Sequence, residues 1–471
     1  MKRLRFVLAL ILAAGFPAAT SAQQPQPRPP VSRAEITLSF APVVKRAAPA
    51  VVNVYALKRV QGGNNPFFDD PVFRRFFGQG MPGMGPPGER LQRSLGSGVI
   101  VDPAGIVVTN HHVVEGADQI RIALADKREF DAEVLLRDQR SDLAILRIKD
   151  GRERFPAIEF GDSDVIAVGD IVLAIGDPFG VGQTVTQGIV SALARTQLGI
   201  SDYQFFIQTD AAINQGNSGG ALVDMTGRLI GINTALYSRS GGSIGIGFAI
   251  PVNMVRVVLE SARGGGTAVK RPWFGAKLQA VTPEIAESLG SKRPAGALIA
   301  NVTAKSPAER AGLKVGDVIV AVDGQPVEDP NAFDYRFATK PVGGKANLSI
   351  ERQGRALAVS VALEGAPERP RDEIVIRARS PFMGAKVANL SPALNDELRL
   401  DAAAEGVAII EIENGSTAQS LGFQRGDVVI SVNGVKIANS RDLERIANSA
   451  SRQWNLMILR GGQQINITLR G

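Results

Sequence analysis

The sequence predicts a mainly β protein: a strand-rich first half followed by two copies of one smaller module. Three observations carry this. Short runs of Val, Ile and Leu recur between Gly, Asn and Asp through residues 37–262. Glycine is frequent, with 51 copies in 471 residues, while phenylalanine is the only common aromatic, a balance that favours strands and loops over helical bundles. After residue 271 a set of short motifs appears twice, the second time roughly 110 residues further on.

The first residues read as an export signal. Lys2, Arg3 and Arg5 precede an apolar run from Phe6 to Ala14, then Pro17 and small residues ending at Ala22, so residues 1–22 are expected to be a cleaved signal peptide. The run is well short of the ~20 residues that span a bilayer, and no later segment is long enough. Residues 23–36, rich in Pro and Gln, are expected to be extended or disordered. Within 37–262 the strand candidates are 51–55, 98–101, 106–109, 119–124, 144–148, 171–175, 229–232 and 246–250. They point to antiparallel barrels or a sandwich, closed by a helix that starts near Pro251, a favoured first-turn residue, and runs through Met254 and Val258. Residues 62–92 interrupt the series with Gly and Pro around Phe67, Phe68, Phe73, Phe76 and Phe77. They form either a turn folded onto its own domain or an arm that reaches a neighbouring subunit or guards a site.

Charge and composition exclude several functions. The formal charge of +7 includes the three basic residues of the signal peptide, so the exported chain is only modestly basic. Both signs are interspersed, and no nucleic-acid partner is expected. The absence of cysteine excludes disulfides, thiol nucleophiles and thiolate metal sites. The two histidines, His111 and His112, are adjacent, and adjacent side chains on a strand point to opposite faces and cannot share a metal. No metal or other cofactor is implied.

A Gly-rich linker, 263–270, precedes the first module, 271–364; a second linker, 365–374, precedes the second module, 375–471. Phe274-Gly275-Ala276-Lys277 recurs as Met383-Gly384-Ala385-Lys386, Ser306-Pro307-Ala308 as Ser416-Thr417-Ala418, and Gly316-Asp317-Val318-Ile319 as Gly426-Asp427-Val428-Val429. An apolar loop with a glycine entering a strand exposes successive backbone N–H groups, a concavity suited to a peptide carboxylate, and the strand edge accepts an extended peptide. Both modules resemble PDZ domains. By that resemblance the peptide-binding loops are Trp273, Phe274, Gly275 and Ala276 in the first, and Phe382, Met383, Gly384 and Ala385 in the second.

The chemistry is sought around the scarce histidines. Gly216-Asn217-Ser218-Gly219-Gly220 sets a serine among glycines that let backbone N–H groups approach an oxyanion. A serine nucleophile at neutral pH needs a base, and the chain offers His111 and His112 alone. They lie in Thr109-Asn110-His111-His112-Val113-Val114, and Ser141-Asp142-Leu143 puts an acid before an apolar strand, in the order His, Asp, Ser. With the segments DPFGVGQTVTQGIVSA, QTDAAINQGNSGG and IGIGFAIP, this stretch resembles the chymotrypsin-type serine proteases. Together with the two PDZ modules, the whole chain resembles the HtrA family of periplasmic Do-like endoproteases.

The resemblance implies a chymotrypsin-like double β-barrel followed by two PDZ domains. It makes His112 the general base, with His111 at a variable position, Asp142 the acid that orients the imidazole, and Ser218 the nucleophile. Gly216 and Ser218 would supply the oxyanion-hole N–H groups, with Asn217 shaping the turn between them. Digestive relatives carry an Asp where this chain has the neutral Asn217, so activation falls instead to loops 177–183, 195–204 and 236–243, and Arg195 matches a regulatory position. Ile213, Leu236 and Ile246 match the primary specificity pocket; an aliphatic pocket favours small aliphatic residues before the cut and rejects Lys and Arg by desolvation. Unfolded envelope proteins and free C-termini are the implied partners, with a homo-oligomer built from trimers in the periplasm. Three functions compete: an ATP-independent endoprotease, a mainly chaperone role on the same scaffold, and a PDZ scaffold with an inactive protease fold, the last opposed by the intact triad.

Overall fold

A short helix, α1 (Ala41–Ala47), and a single 3-10 turn lead into β1 (Val51–Gln61). Then come β2 (Glu89–Asp102), β3 (Ile106–Asn110), β4 (Gln119–Ala123), β5 (Glu129–Asp138), β6 (Leu143–Ile148), β7 (Ile171–Gly176), β8 (Thr184–Arg195), β9 (Phe206–Thr209), β10 (Ala221–Val223), β11 (Leu229–Leu236) and β12 (Gly247–Pro251). In this computed structural model they close into two antiparallel barrels, ordered β1-β2-β3-β6-β5-β4 and β10-β11-β12-β9-β8-β7. The structure describes residues 39–61, 89–150, 153–177, 182–195, 203, 205–214, 216–236, 245–266, 268–291, 293–398, 400, 406–449, 451 and 453–470. The signal and leader, and the phenylalanine-rich residues 62–88, lie outside that set.

Alternation sets the inward faces. β4 buries Ile120 and Ile122 and exposes Gln119 and Arg121. The second barrel gathers Val172, Ala174, Val190, Ile207, Leu222 and Ile230 into one core. β3 is buried along its whole length and touches β11 of the other barrel, which sets its C-terminal end at the seam between them. β5, β8, β9 and β10 are absent from the expected strands for physical reasons: β5 and β8 interleave charged, polar or glycine residues on a solvent-facing side, and β10 is three residues long. Pro251 also sits differently from expectation. Its backbone is extended (φ −61°, ψ 143°), so it ends β12 and caps α2 (Val252–Arg263) rather than opening that helix's first turn. α2 buries Val252, Val255, Val258, Leu259 and Ala262, one stripe at helical spacing.

The first module runs β13 (Ala276–Ala280), α3 (Pro283–Leu289), β14 (Ala297–Val302), α4 (Pro307–Arg310), β15 (Val318–Val322), β16 (Gln325–Pro326), α5 (Pro330–Ala338), β17 (Lys345–Arg352) and β18 (Arg355–Ala362). The second runs β19 (Ile374–Val375), β20 (Ala385–Asn389), α6 (Pro392–Leu398), β21 (Val407–Ile412), α7 (Thr417–Ser420), β22 (Val428–Val432), β23 (Val435–Lys436), α8 (Ser440–Ala447), β24 (Gln453–Arg460) and β25 (Gln463–Arg470). The repeated motifs hold backbone in place. Ser306 and Ser416 cap α4 and α7, accepting from Glu309 N at 3.1 Å and Gln419 N at 3.2 Å. Asp317 and Asp427 each accept a turn N–H, from Lys314 and Gln424 at 2.8 Å, and a two-pronged guanidinium, from Arg352 and Arg460 at 2.6 Å. The sheets differ at one edge: β13 ends the first, whereas β19 pairs outside β20 in the second.

Candidate active site

The β3–β6 ladder brings Asp142 to His112. Asn110 pairs with Leu143, so the turn carrying His111 and His112 leaves β3 beside Asp142, the residue entering β6. Asp142 has φ +55°, a left-handed conformation that Asp tolerates better than most residues. Its carbonyl is clamped there by Asn110 Nδ2 at 2.9 Å and His111 N–H at 3.1 Å. The carboxylate then reaches His112 Nδ1, at 3.0 Å from Oδ1 and 2.8 Å from Oδ2, and accepts the His112 backbone N–H at 3.1 Å. Thr234 Oγ1 donates to the same carboxylate at 2.7 Å. Burial pushes the Asp142 carboxyl up, but the His112 ring and the Thr234 hydroxyl outweigh it and hold the group below its usual range.

The neighbouring histidine goes elsewhere. His111 Nε2 lies 3.9 Å from Glu115, and its side chain is 14% exposed against 43% for His112. The pair sits in a turn rather than on a strand, yet the two rings still diverge.

Ser218 belongs to the second barrel and is tied to the first by Ser97 of β2. Ser97 N–H donates to Ser218 O at 2.8 Å, and Ser97 Oγ donates to Gly216 O at 2.6 Å while accepting Asp177 N–H at 2.9 Å. Gly219 follows with φ +84°, and a Cβ there would lie 2.0 Å from Ser97 O, so the turn admits glycine alone. The N–H groups of Gly216 and Ser218 take no partner among the described residues, whereas that of Asn217 closes a turn onto Asn214 O at 3.0 Å. The Ser218 hydroxyl donates to Thr234 O at 3.0 Å and not to His112. Thr234 thus touches the acid with its side chain and the serine with its carbonyl. It occupies the register shift of β11 between Asn233 and Ala235, where a bulge re-aims a side chain.

Residues 96–232 match the trypsin-like peptidase domain family, and residues 272–363 and 381–470 match the PDZ domain family. The periplasmic serine endoprotease DegP of Salmonella typhimurium is 38% identical over 451 residues, spanning 92% of each chain. DegP of Escherichia coli K12 is 37% identical over 455 residues, again with 92% of each chain covered. This chain belongs to the HtrA family of DegP-like serine endoproteases. A solved structure of the HtrA-type protease AlgW with a decapeptide is 47% identical with a TM-score of 0.52, covering 70% of this chain and all of that one. The fold class is therefore a chymotrypsin-like double barrel with two PDZ domains, and the protein is a serine endopeptidase. No helix among the described residues is long and apolar enough to cross a membrane.

In this HtrA-family chain the expected specificity residues gather around Gly247. Ile213 is buried, a Cβ on Gly247 would stand 2.9 Å from its Cδ1, and Leu236 pairs with Gly247 across β11 and β12. Ile246, half-buried, immediately precedes it. The Leu236 side chain lies outside the described residues, as do the Arg195 side chain and residues 178–181, 196–202, 204 and 237–243 of the three loops.

The two PDZ loops differ. In the first, the N–H groups of Phe274 and Gly275 take no partner among the described residues, and the loop lines a cavity of 980 Å³ with Phe333 and Phe337 of α5. In the second, Gly384 N–H donates to Ile376 O at 2.9 Å, and Met383 and Ala385 donate to Ser380 O and Phe382 O at 3.1 and 2.9 Å. Sequence reasoning missed Thr234, Ser97 and residues 374–376. A threonine or serine in an apolar strand carries no local mark of which loop will fold against it.

Proposed function

We propose that this protein is an exported, ATP-independent endopeptidase that cleaves unfolded or damaged envelope proteins after small aliphatic residues. The observation that carries the reading is the ring–carboxylate contact of His112 and Asp142 beside a serine on a glycine turn. Asp142 holds Nδ1–H, leaving Nε2 as the basic nitrogen. Ser218 rotates off Thr234 O and gives its proton to His112 Nε2 as Oγ adds to the scissile carbonyl. The oxyanion takes the N–H groups of Gly216 and Ser218, with Asn217 shaping the turn between them. His112 then passes the proton to the leaving amine, and water, deprotonated by His112, releases the acyl group. Ile213, Leu236 and Ile246 line the pocket for the residue before the cut, and Arg195 with the three loops governs when the site engages. The PDZ domains bind exposed C-termini. Export through residues 1–22 to the periplasm, a location the periplasmic relatives support, and assembly as trimers or their multiples complete the reading.

One observation favours a second, chaperone mode on the same scaffold: the Phe274 and Gly275 N–H groups of the first PDZ loop take no partner among the described residues and are left to hold a substrate chain without cutting it. Labelling with a serine-directed phosphonate, together with hydrolysis of a denatured protein, tests both. Parent protein is expected to label and cut, and Ser218→Ala to do neither while still suppressing aggregation of that substrate. Cleavage after Lys or Arg in a peptide library would refute the pocket assignment.

A further inference from the structure

The second PDZ domain has its own chain in its peptide groove. β19 pairs antiparallel with the outer edge of β20, with Ile374 opposite Val387 and Val375 opposite Lys386. Ile376 continues the ladder: its N–H donates to Ala385 O at 2.9 Å, and its carbonyl accepts Gly384 N–H at 2.9 Å. That carbonyl stands where the carboxylate of a bound C-terminus would meet the loop. The Ile376 side chain is 1% exposed in a cluster with Phe382, Val387, Leu443 and Ala447, and Ile374 packs on the same cluster. Val375, between them, does not, as strand alternation requires. α8 holds the upstream end, Ser440 Oγ donating to Asp372 O at 2.7 Å and Arg441 pairing with Asp372 at 2.8 Å.

The first PDZ domain reaches the same fold without any such strand among the described residues. Its β13 is a sheet edge, its loop N–H groups at Phe274 and Gly275 take no partner among the described residues, and its groove opens on a cavity of 980 Å³ that Pro392, Gln424 and Arg460 of the second PDZ domain also line. A PDZ module of this chain therefore does not need the added strand to fold.

We propose that residues 374–376 are a tethered ligand of the second PDZ domain, and that once they withdraw this domain accepts C-terminal peptides with aliphatic residues at the last and third-last positions. The first PDZ domain takes peptides directly. This rests on the reading of both modules as C-terminus binders. A short tether presents its segment at an effective concentration of about 1 mM, so a free peptide of equal intrinsic affinity competes poorly until the segment is released.

The probe is a photo-crosslinkable peptide ending in Ile-Val-Ile with a free carboxylate, added to full-length protein carrying Ser218→Ala so that it is not cut. Crosslinks are mapped to each PDZ domain by mass spectrometry. Val375→Cys with Lys386→Cys places two thiols directly opposite in a chain that otherwise has none, so oxidation locks the segment and reduction frees it. Ile376→Ser weakens its anchor. Crosslinks to the second domain are expected to rise about tenfold or more in Ile376→Ser, and to fall away in the oxidised double variant while those to the first domain persist. If the reduced double variant and a folded Ile376→Ser take no more peptide in the second domain than the oxidised form, the segment is a fixed strand and the inference fails. Should Ile376→Ser unfold the domain, the oxidised and reduced forms decide alone. Equal binding of an amidated peptide, or none to either domain, would sink the C-terminus reading itself instead.

Discussion

His112 and His111 differ by one position and by every contact. His112 meets a carboxylate that is clamped by its backbone, buried and braced by Thr234, while His111 reaches toward Glu115 at the surface. On the proposed roles, His112→Ala is expected to lower hydrolysis of a denatured protein by about 10⁴-fold or more, and His111→Ala to leave most of it. Equal losses would mean that His111 also shapes the site or that the base is misassigned. Thr234 supports a subtler expectation. Thr234→Val keeps the carbonyl that receives Ser218 but removes the hydroxyl from Asp142, a bond to a charged group that contributes about 1.5 kcal/mol, so kcat should fall about tenfold and Thr234→Ser should restore it. Because the Asp142 carboxyl is held below its usual value, its stabilisation is present above the unfolded carboxyl pKa and lost as pH falls through the lower folded one. Removing a donor raises the folded value, so acid unfolding of Thr234→Val, followed by circular dichroism, should begin at higher pH than in the parent; an unmoved midpoint with unchanged kcat contradicts the role. The proposed triad could be read from sequence because histidine is scarce and glycines frame Ser218. Thr234 could not, since its position depends on a bulge that forms only when β11 and β12 pair.

At the scale of elements, the repeat was legible because its residues do backbone work that recurs wherever the turn recurs. Asp317 and Asp427 each bind a turn N–H and the guanidinium of an arginine on the facing strand, and both are 1% exposed. Replacing either by Asn leaves an arginine without its charge partner and is expected to cost about 2 kcal/mol, below the usual figure for a fully buried pair because Arg352 and Arg460 are 27% and 31% exposed. Urea unfolding should show Asp317→Asn lowering the first PDZ transition alone and Asp427→Asn the second alone. A loss smaller than ~0.5 kcal/mol in both would show that the turn N–H bond and not the ion pair matters. What the repeat concealed is the difference between its copies. Ile374-Val375-Ile376 is three apolar residues where the linker meets the second module, and whether such a stretch closes a groove depends on which edge lies within reach. The short β10 and the charged β5 were missed for a related reason: pairing on both sides, not local pattern, makes them strands.

Across the whole molecule, α5 joins two surfaces that the function must connect. On one side Phe333 and Phe337 meet Phe274 at the floor of the first PDZ groove, tilted and edge-on, with ring centroids 4.6 and 5.3 Å from it. On the other, Tyr335 stacks on Phe205 of the protease barrels with centroids 4.0 Å apart, and Arg336 lies 5.2 Å over the same Phe205 ring and 3.7 Å from Asp164. Phe205 stands just before β9, at the end of the segment that begins with Arg195. Tyr203, two residues earlier, is held between the guanidinium groups of Arg140 and Arg271, and Arg271 pairs with the buried Asp138. On the role proposed for residues 195–204, a peptide that shifts α5 in its groove moves a ring packed beside that segment, and an aromatic stack contributes about 1 kcal/mol, enough for a severalfold change in rate. Tyr335→Ala is expected to leave basal cleavage of a short internally quenched peptide near the parent level while abolishing the change in rate that a free C-terminal peptide produces. Tyr335→Phe keeps the stack and should keep the response. If Tyr335→Ala, folded and with the same affinity for the C-terminal peptide, responds to it like the parent, coupling does not run through α5.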